Sequence, residues 1–192
     1  MQRITTFASA IALAATLSSS TALLSTAAHA QTDRQESEAA ELPGPDTKFV
    51  ALALVGGLGE VQISQLAAEN ASSAEVKQLA ERIVSDHATL NTQLQALADE
   101  HKIAEDGTKG TPPLEVSPED KEVYEALSRL TGDEFDRAYI EHLVAKHQTD
   151  IALYREEIES GEDKEVKSLA EQALPVLEEH LQLAQTLATA TQ

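Results

Sequence analysis

The chain has 192 residues, 42% of them apolar but only 3% aromatic, with a formal net charge of −19 and an isoelectric point near 4.5. Such acidity excludes nucleic acid and anionic membrane surfaces as expected partners and leaves cations and basic partners open. With no cysteine in the chain, disulfides, thiolate metal sites, cysteine nucleophiles and a lipid-modified N-terminal cysteine are excluded as well.

Residues Met1 to Ala30 read as a cleaved signal peptide. Arg3 is their only basic residue, an Ala-rich apolar stretch runs from Ile4 to Leu24, and Ala28-His29-Ala30 fits the small-x-small cleavage rule before Gln31. Ser and Thr interrupt the stretch from Thr16 to Thr21, which favours cleavage over a retained anchor. The mature protein is therefore expected in the periplasm of a Gram-negative bacterium or outside the cell, and His29 leaves with the signal. Gln31 to Asp46 is polar and acidic, ends in Pro43-Gly44-Pro45, and reads as a disordered leader. No later stretch reads as long and apolar enough to span a bilayer.

The remainder, residues 47–192, reads as one all-α domain. A first helix is expected from about Thr47 to Ala71, capped by Asp46 or Thr47, with the seam Phe49, Ala53, Gly56, Glu60, Ile63, Ala67. Gly56, Gly57 and Gly59 each cost that helix about 1 kcal/mol relative to Ala, which points to close approach of a neighbouring backbone. After a turn at Ser72-Ser73, a second helix runs to His101-Lys102 with the seam Val76, Ala80, Ile83, His87, Leu90, Leu94, Leu97. Ile103 to Ser117, with Gly107, Gly110, Pro112 and Pro113, is a connection. Ser117-Pro118-Glu119-Asp120 starts a short helix to about Leu130. A third long helix spans about Asp133 to Ser160 on the seam Ile140, Val144, His147, Ile151, Tyr154, Ile158, and Gly161 stops it. A fourth spans about Asp163 to Ala188 on the seam Val166, Ala170, Ala173, Val176, His180, Ala184, Leu187, with a kink expected at Pro175.

Two helical hairpins joined by a long crossover make an antiparallel four-helix bundle with a ferritin-like connection and a short extra helix between the second and third long helices. An internal repeat supports it. Glu75-Val76-Lys77-Gln78-Leu79-Ala80-Glu81 opens the second helix and Glu165-Val166-Lys167-Ser168-Leu169-Ala170-Glu171 the fourth, a register that also pairs Glu60 with Asp150. A duplicated hairpin would give the bundle a pseudo-twofold axis.

Each long helix places one ligand-type side chain on its seam: Glu60, His87, His147 and His180. Asp150 follows His147 by one turn and shares its face. Counted from the turns at about 1.5 Å per residue, Glu60 and His87 lie roughly 4–5 Å apart axially, and His147 and His180 roughly 6 Å apart. All four therefore fall in one slab near mid-bundle. Three imidazoles and a carboxylate suit one transition-metal ion, Zn, Fe, Mn, Cu or Ni, with Asp150 as an accessory and Asp86, Asn91, Glu179 or Tyr154 behind the ligands. The competing reading is a hydrogen-bonded polar layer that fixes helix register.

Other titratable groups carry weaker signals. His101 sits where a cation complements a helix C-terminus, and His142 reads as a surface residue at the seam edge. Glu156-Glu157 and Glu178-Glu179 read as solvated faces. No serine lies in a nucleophile elbow, and no phosphate loop or EF-hand is present.

From Lys48 to Ala188 the chain resembles a secreted bacterial family, domain of unknown function 4142, often labelled a predicted outer membrane protein. The resemblance is carried by Phe49, Gly57, Glu60-Val61, Leu66-Ala67-Ala68, Ala71-Ser72-Ser73, Glu75-Val76-Lys77, Asp86-His87 and Asn91. Phe135-Asp136, Tyr139, His147, Leu174-Pro175 and His180 carry it in the second half. It implies export and a ferritin-like bundle but supplies no activity, and nothing in the chain reads as a barrel strand or lipid anchor. The di-iron motif of ferritins needs a Glu three residues before each His, where this chain has Val84, Val144 and Leu177. The expected function is thus an exported metal-binding bundle serving metal handling or envelope stress. The alternative is a non-catalytic interaction bundle with a protein or homo-oligomeric partner. An enzyme ranks last, for want of a nucleophile or acid/base pair.

Overall fold

The computed structural model describes residues 42–103 and 115–190. The signal segment, residues 31–41 of the leader and the central part of the crossover lie outside the described residues. The described residues form five helices: α1 (Gly44–Asn70), α2 (Ala74–His101), α3 (Pro118–Leu127), α4 (Gly132–Ser160) and α5 (Lys164–Ala190). Helices α1, α2, α4 and α5 form the bundle. Helix α1 packs on α2 and α4, α5 packs on α4 and α2, and the short α3 lies against α1 and α4.

Local chemistry fixes the helix starts. The Ser73 hydroxyl caps α2 by accepting from the N–H groups of Glu75 and Val76, Ser117 does the same for α3 at Asp120, and the Asp163 carboxylate caps α5 at Glu165 and Val166. At the other end of α2, Lys102 takes a left-handed conformation with φ 54° and closes the helix.

The two tight turns are held by buried carboxylates from the opposite hairpin. Asp136, on α4, accepts from the N–H groups of Ser72 and Ser73 at 2.8 and 2.7 Å and from the Ser72 hydroxyl at 2.7 Å. Asp46, on α1, accepts from the N–H groups of Glu162 and Asp163 at 3.1 and 2.8 Å. These contacts place the start of each hairpin beside the turn of the other, so α1 runs antiparallel to α4 as well as to α2. They also correct the expected leader boundary. Asp46 caps the distant turn rather than its own helix, α1 begins at Gly44 instead of Thr47, and Leu42 is already buried. Pro45 is tolerated there because the first helical turn needs no N–H donor.

The pseudo-twofold symmetry suggested by the repeat is visible in side-chain contacts. In the register that pairs Glu75 with Glu165, Asp46 matches Asp136 and the cap Ser73 matches the cap Asp163. Phe49 lies edge-on to Tyr154 with ring centroids 5.0 Å apart, and its counterpart Tyr139 donates a 3.0 Å hydrogen bond to Ser64, the counterpart of Tyr154.

The core consists of two apolar clusters. One, near the α4–α5 turn, contains Phe49, Leu54, Leu94, Ile151, Tyr154 and Leu177. The other, near the α1–α2 turn, contains Ile63, Val76, Ile83, Phe135, Tyr139 and Leu143. The expected seams drift along the helices. Leu90, Val144 and Val176 are half-buried while Asn91, Leu143 and Leu177 are buried, because a straight helix turns once per 3.6 residues and walks off a 3.5-residue seam.

The glycines of α1 serve side chains rather than a backbone. A Cβ on Gly57 would collide with Asn91 of α2, and one on Gly59 with Asp120 of α3, while one on Gly56 would press on Lys146 of α4. Helix α5 is continuous through Pro175; Pro175 and Glu171, whose carbonyl loses its donor, are both exposed, so water replaces the missing bond. One sequence expectation needs correction. By length and composition α1 does pass as a membrane-span candidate, with mean hydropathy 1.5, but 56% of that window is buried within the bundle.

Candidate metal centre

Between the two apolar clusters lies a layer of four buried polar side chains, one from each long helix: Glu60 (α1), His87 (α2), His147 (α4) and His180 (α5), none more than 3% exposed. One ring nitrogen from each of His87, His147 and His180 lies within 4.8 Å of the other two. The ring centroids are 5.3 Å apart for His147–His180 and 5.7 Å for both pairs with His87.

Carboxylates back this cluster on two sides. Glu60 Oε1 is 3.0 Å from His147 Nδ1, which also lies 3.2 Å from the Leu143 carbonyl. Asp86 Oδ2 is 2.9 Å from His180 Nε2. The Leu143 carbonyl and the Asp86 carboxylate can only accept, so the network assigns the His147 proton to Nδ1 and the His180 proton to Nε2. The remaining nitrogens, His147 Nε2 and His180 Nδ1, then present lone pairs to each other across 3.2 Å. Two facing lone pairs repel unless a cation sits between them, either a proton or a metal ion. Two nitrogens bound to one tetrahedral ion at about 2.0–2.1 Å stand roughly 3.3 Å apart, so the observed separation suits either cation. Both His87 nitrogens and both Glu60 oxygens are buried without an aligned hydrogen bond, although Glu60 Oε2 lies 3.4 Å from His87 Nδ1.

The titration behaviour follows from this packing. Burial alone would raise Glu60, but His87, His147 and Lys146 hold its carboxyl well below the ordinary value. Burial lowers His147, yet the Glu60 carboxylate outweighs it and lifts the imidazole above its usual range. Burial dominates at His87, which stays low despite Glu60, and at His180, pushed down to about 4 against the pull of Asp86.

Of the five sequence-predicted residues, the three histidines form the cluster. Glu60 is in the layer but meets the proton-bearing nitrogen of His147, which makes it an orienting group rather than a direct ligand in this arrangement. Asp150 is not in the cluster. It pairs with Lys146, one turn back on α4, and burial together with the neighbouring Glu60 raises its pKa to about 7. Lys146 was not anticipated; the small Gly56 opposite it on α1 was its only trace in the sequence. Of the four residues expected behind the ligands, only Asp86 touches an imidazole. Glu179 makes a bidentate surface pair with Arg82 at 2.8 and 2.6 Å, Asn91 covers Gly57, and Tyr154 packs edge-to-face with Phe49.

Other expectations also shift. Glu157 is buried beside Asp46 rather than solvated, whereas Glu178 and Glu179 are exposed and paired with Arg155 and Arg82. His142 is half-buried and its pKa is lowered by desolvation. His101 does end α2, with its Nδ1 buried and unpartnered.

A cleft of about 200 Å³ between α2 and α5 reaches this layer, with His87, His180 and Asp86 on its wall. Fold and site together define a four-helix bundle with a buried cluster of three imidazoles. The chain belongs to the family described as Domain of unknown function (DUF4142), whose profile matches residues 18–187. No curated protein matches it. Among solved structures it is similar to a DUF305 fragment from Deinococcus radiodurans, at TM-score 0.67 and 17% identity over 79% of this chain and 99% of that one. A DUF305 protein from Streptomyces coelicolor follows at 0.64 and 17%, over 77% and 92%. CopM in its Cu(II)-bound form gives 0.61 and 14%, over 76% and 96%. At these identities the likeness establishes the fold alone.

Proposed function

We propose that the protein is an exported metal-handling bundle that holds one late first-row divalent ion, Cu(II) or Zn(II), between His87, His147 and His180. The observation that carries this reading is the 3.2 Å approach of His147 Nε2 to His180 Nδ1, with the unpartnered His87 ring beside them. Backing carboxylates on the far nitrogens are the usual companions of metal-bound histidines, since they set the tautomer and raise ligand basicity. Three neutral imidazoles favour Cu and Zn over Mn, which prefers oxygen donors, and Cu(II) binds most tightly of the series. CopM in its Cu(II)-bound form is a solved protein of this fold. Export rests on the Met1–Ala30 segment, whose apolar stretch and Ala28-His29-Ala30 box fit a cleaved signal.

The test is elemental analysis by mass spectrometry of protein purified without a polyhistidine tag, beside His87→Leu and a His87→Ala/His147→Ala double variant. Near-stoichiometric metal in the wild type and none in either variant supports the reading and names the ion. No metal after reconstitution with Cu, Zn, Ni, Fe and Mn refutes it. The second reading, a register layer, is favoured by one observation: Glu60, His147, His180 and Asp86 form an unbroken chain of contacts that a single shared proton would satisfy. Under that reading metal leaves the melting temperature unchanged.

A further inference from the structure

We infer that the ion keeps an open coordination position facing the α2–α5 cleft, and that this position takes a small neutral donor such as water or an imidazole rather than an anion. The inference rests on the metal reading above and deepens it. Three protein nitrogens leave at least one position open on a four-coordinate ion, tetrahedral Zn(II) or tetragonal Cu(II), which is the arrangement of sites that bind exogenous molecules rather than of closed structural ones. His147 faces the protein interior, whereas His87 and His180 are on the cleft wall, so the missing ligand is on the cleft side.

The wall selects what enters. Leu90, Leu169, Ala173 and Val176 line most of the cleft with hydrocarbon, and two of its three neutral polar side chains, Thr89 and Gln172, already donate to Ser85 and Ser168 on their own helices, which leaves Gln93 as the amide donor for an anion. Asp86, its side chain 34% exposed, stands beside His180 and shares the Arg82 guanidinium with Glu179, so two carboxylates face one cation there, and the chain as a whole carries −19. Anions are thus repelled along the same route that draws metal cations in. An uncharged ligand with an apolar body meets neither penalty.

Copper-loaded protein titrated with imidazole and, separately, with azide tests this by electron paramagnetic resonance and visible absorption. Thr89→Trp and Gln172→Trp place an indole at the mouth from opposite helices; both positions are exposed cleft residues, so the fold is retained. The expected result is a spectral change with imidazole, at least about tenfold weaker binding of azide, and about tenfold weaker imidazole binding in both variants with copper content unchanged. Absence of bound copper in the wild type overturns the metal centre itself. Bound copper whose spectrum ignores imidazole overturns only the open position. Azide binding as tightly as imidazole, or both tryptophan variants matching the wild type, overturns the selection by the cleft.

Discussion

The histidines of the layer should respond to the same substitution with opposite signs. Both His87 nitrogens are buried without an aligned partner, and each such group costs about 1–3 kcal/mol. In metal-free protein His87→Leu removes both penalties. It keeps a similar volume against Leu90 and Ile83, with a packing mismatch of up to about 1.5 kcal/mol. A net gain of at least about 0.5 kcal/mol is expected, which raises the melting temperature by roughly 2–4 °C per kcal/mol in a domain of this size. His147→Leu strips Glu60 of its 3.0 Å neighbour and leaves the buried carboxylate with Lys146 as its remaining cation, for a loss of about 3 kcal/mol. Thermal and urea unfolding in the presence of a chelator measure both. If His87→Leu destabilises as much as His147→Leu, then His87 is satisfied in solution and the reasoning from its unpaired nitrogens fails. Adding metal at about a hundred times its Kd should then stabilise the wild type by about 2.7 kcal/mol and His87→Leu not at all.

Asp46→Ala and Asp136→Ala should each cost about 2 kcal/mol in urea unfolding, because each removes a buried carboxylate that accepts from two backbone donors at a partly exposed turn. The two sites lie at opposite ends of the bundle, so the double variant should show the sum; a clear departure would mean the turns are coupled. Burial and the neighbouring Asp46 push Glu157 up to about 7, so its ionisation opposes folding, and stability is lost as pH rises between about 4.5 and 7. Glu157→Gln should therefore raise the melting temperature at pH 8 and leave it unchanged at pH 4. Gly57→Ala should destabilise despite its better helix propensity, since the new methyl meets Asn91; circular-dichroism melts would read the sign. Metal content should fall on acidification, because the three imidazoles must be neutral to bind, and dialysis at pH 5 and 7 followed by elemental analysis checks it.

The bundle was legible because its information is local. The caps Ser73, Ser117 and Asp163, the stop at Gly161 and the heptad-like seams each act within a turn or two of sequence. The histidine layer was legible for the same reason: an imidazole on an apolar seam is visible without knowing its partner. What escaped the sequence was every interaction whose partner is remote. Asp46 reads as a local cap until the α4–α5 turn is placed beside it, and Glu157 reads as solvated until Asp46 and Gly161 close over it. Asp150 reads as an accessory ligand because it shares a face with His147, but Lys146, on the flank of that face, claims its carboxylate. Glu60 reads as a ligand by residue type, and only the identity of the nitrogen it meets moves it behind the imidazole.

The duplicated hairpin explains how such a site fits in so small a bundle. The shared framework is symmetric: Asp46 with Asp136, Ser73 with Asp163, Phe49 with Tyr139. The site residues break that symmetry. In the same register His87 faces Leu177, His180 faces Leu90, His147 corresponds to Gly57 and Glu60 to Asp150. A dimer of identical hairpins would double every imidazole and bring two copies of each charge onto the axis, where like charges repel at short range. A single fused chain can put His87 and His180 on the α2–α5 side with His147 of α4 behind them, and keep the Lys146–Asp150 pair on the α1–α4 side, with Glu60 between them facing both His147 and Lys146. That division leaves the cleft side free of ammonium charge among its lining residues, so an incoming cation meets Asp86 and imidazole there. Under the proposed metal reading, the asymmetry rather than the bundle is therefore the feature that would separate a site from a register device.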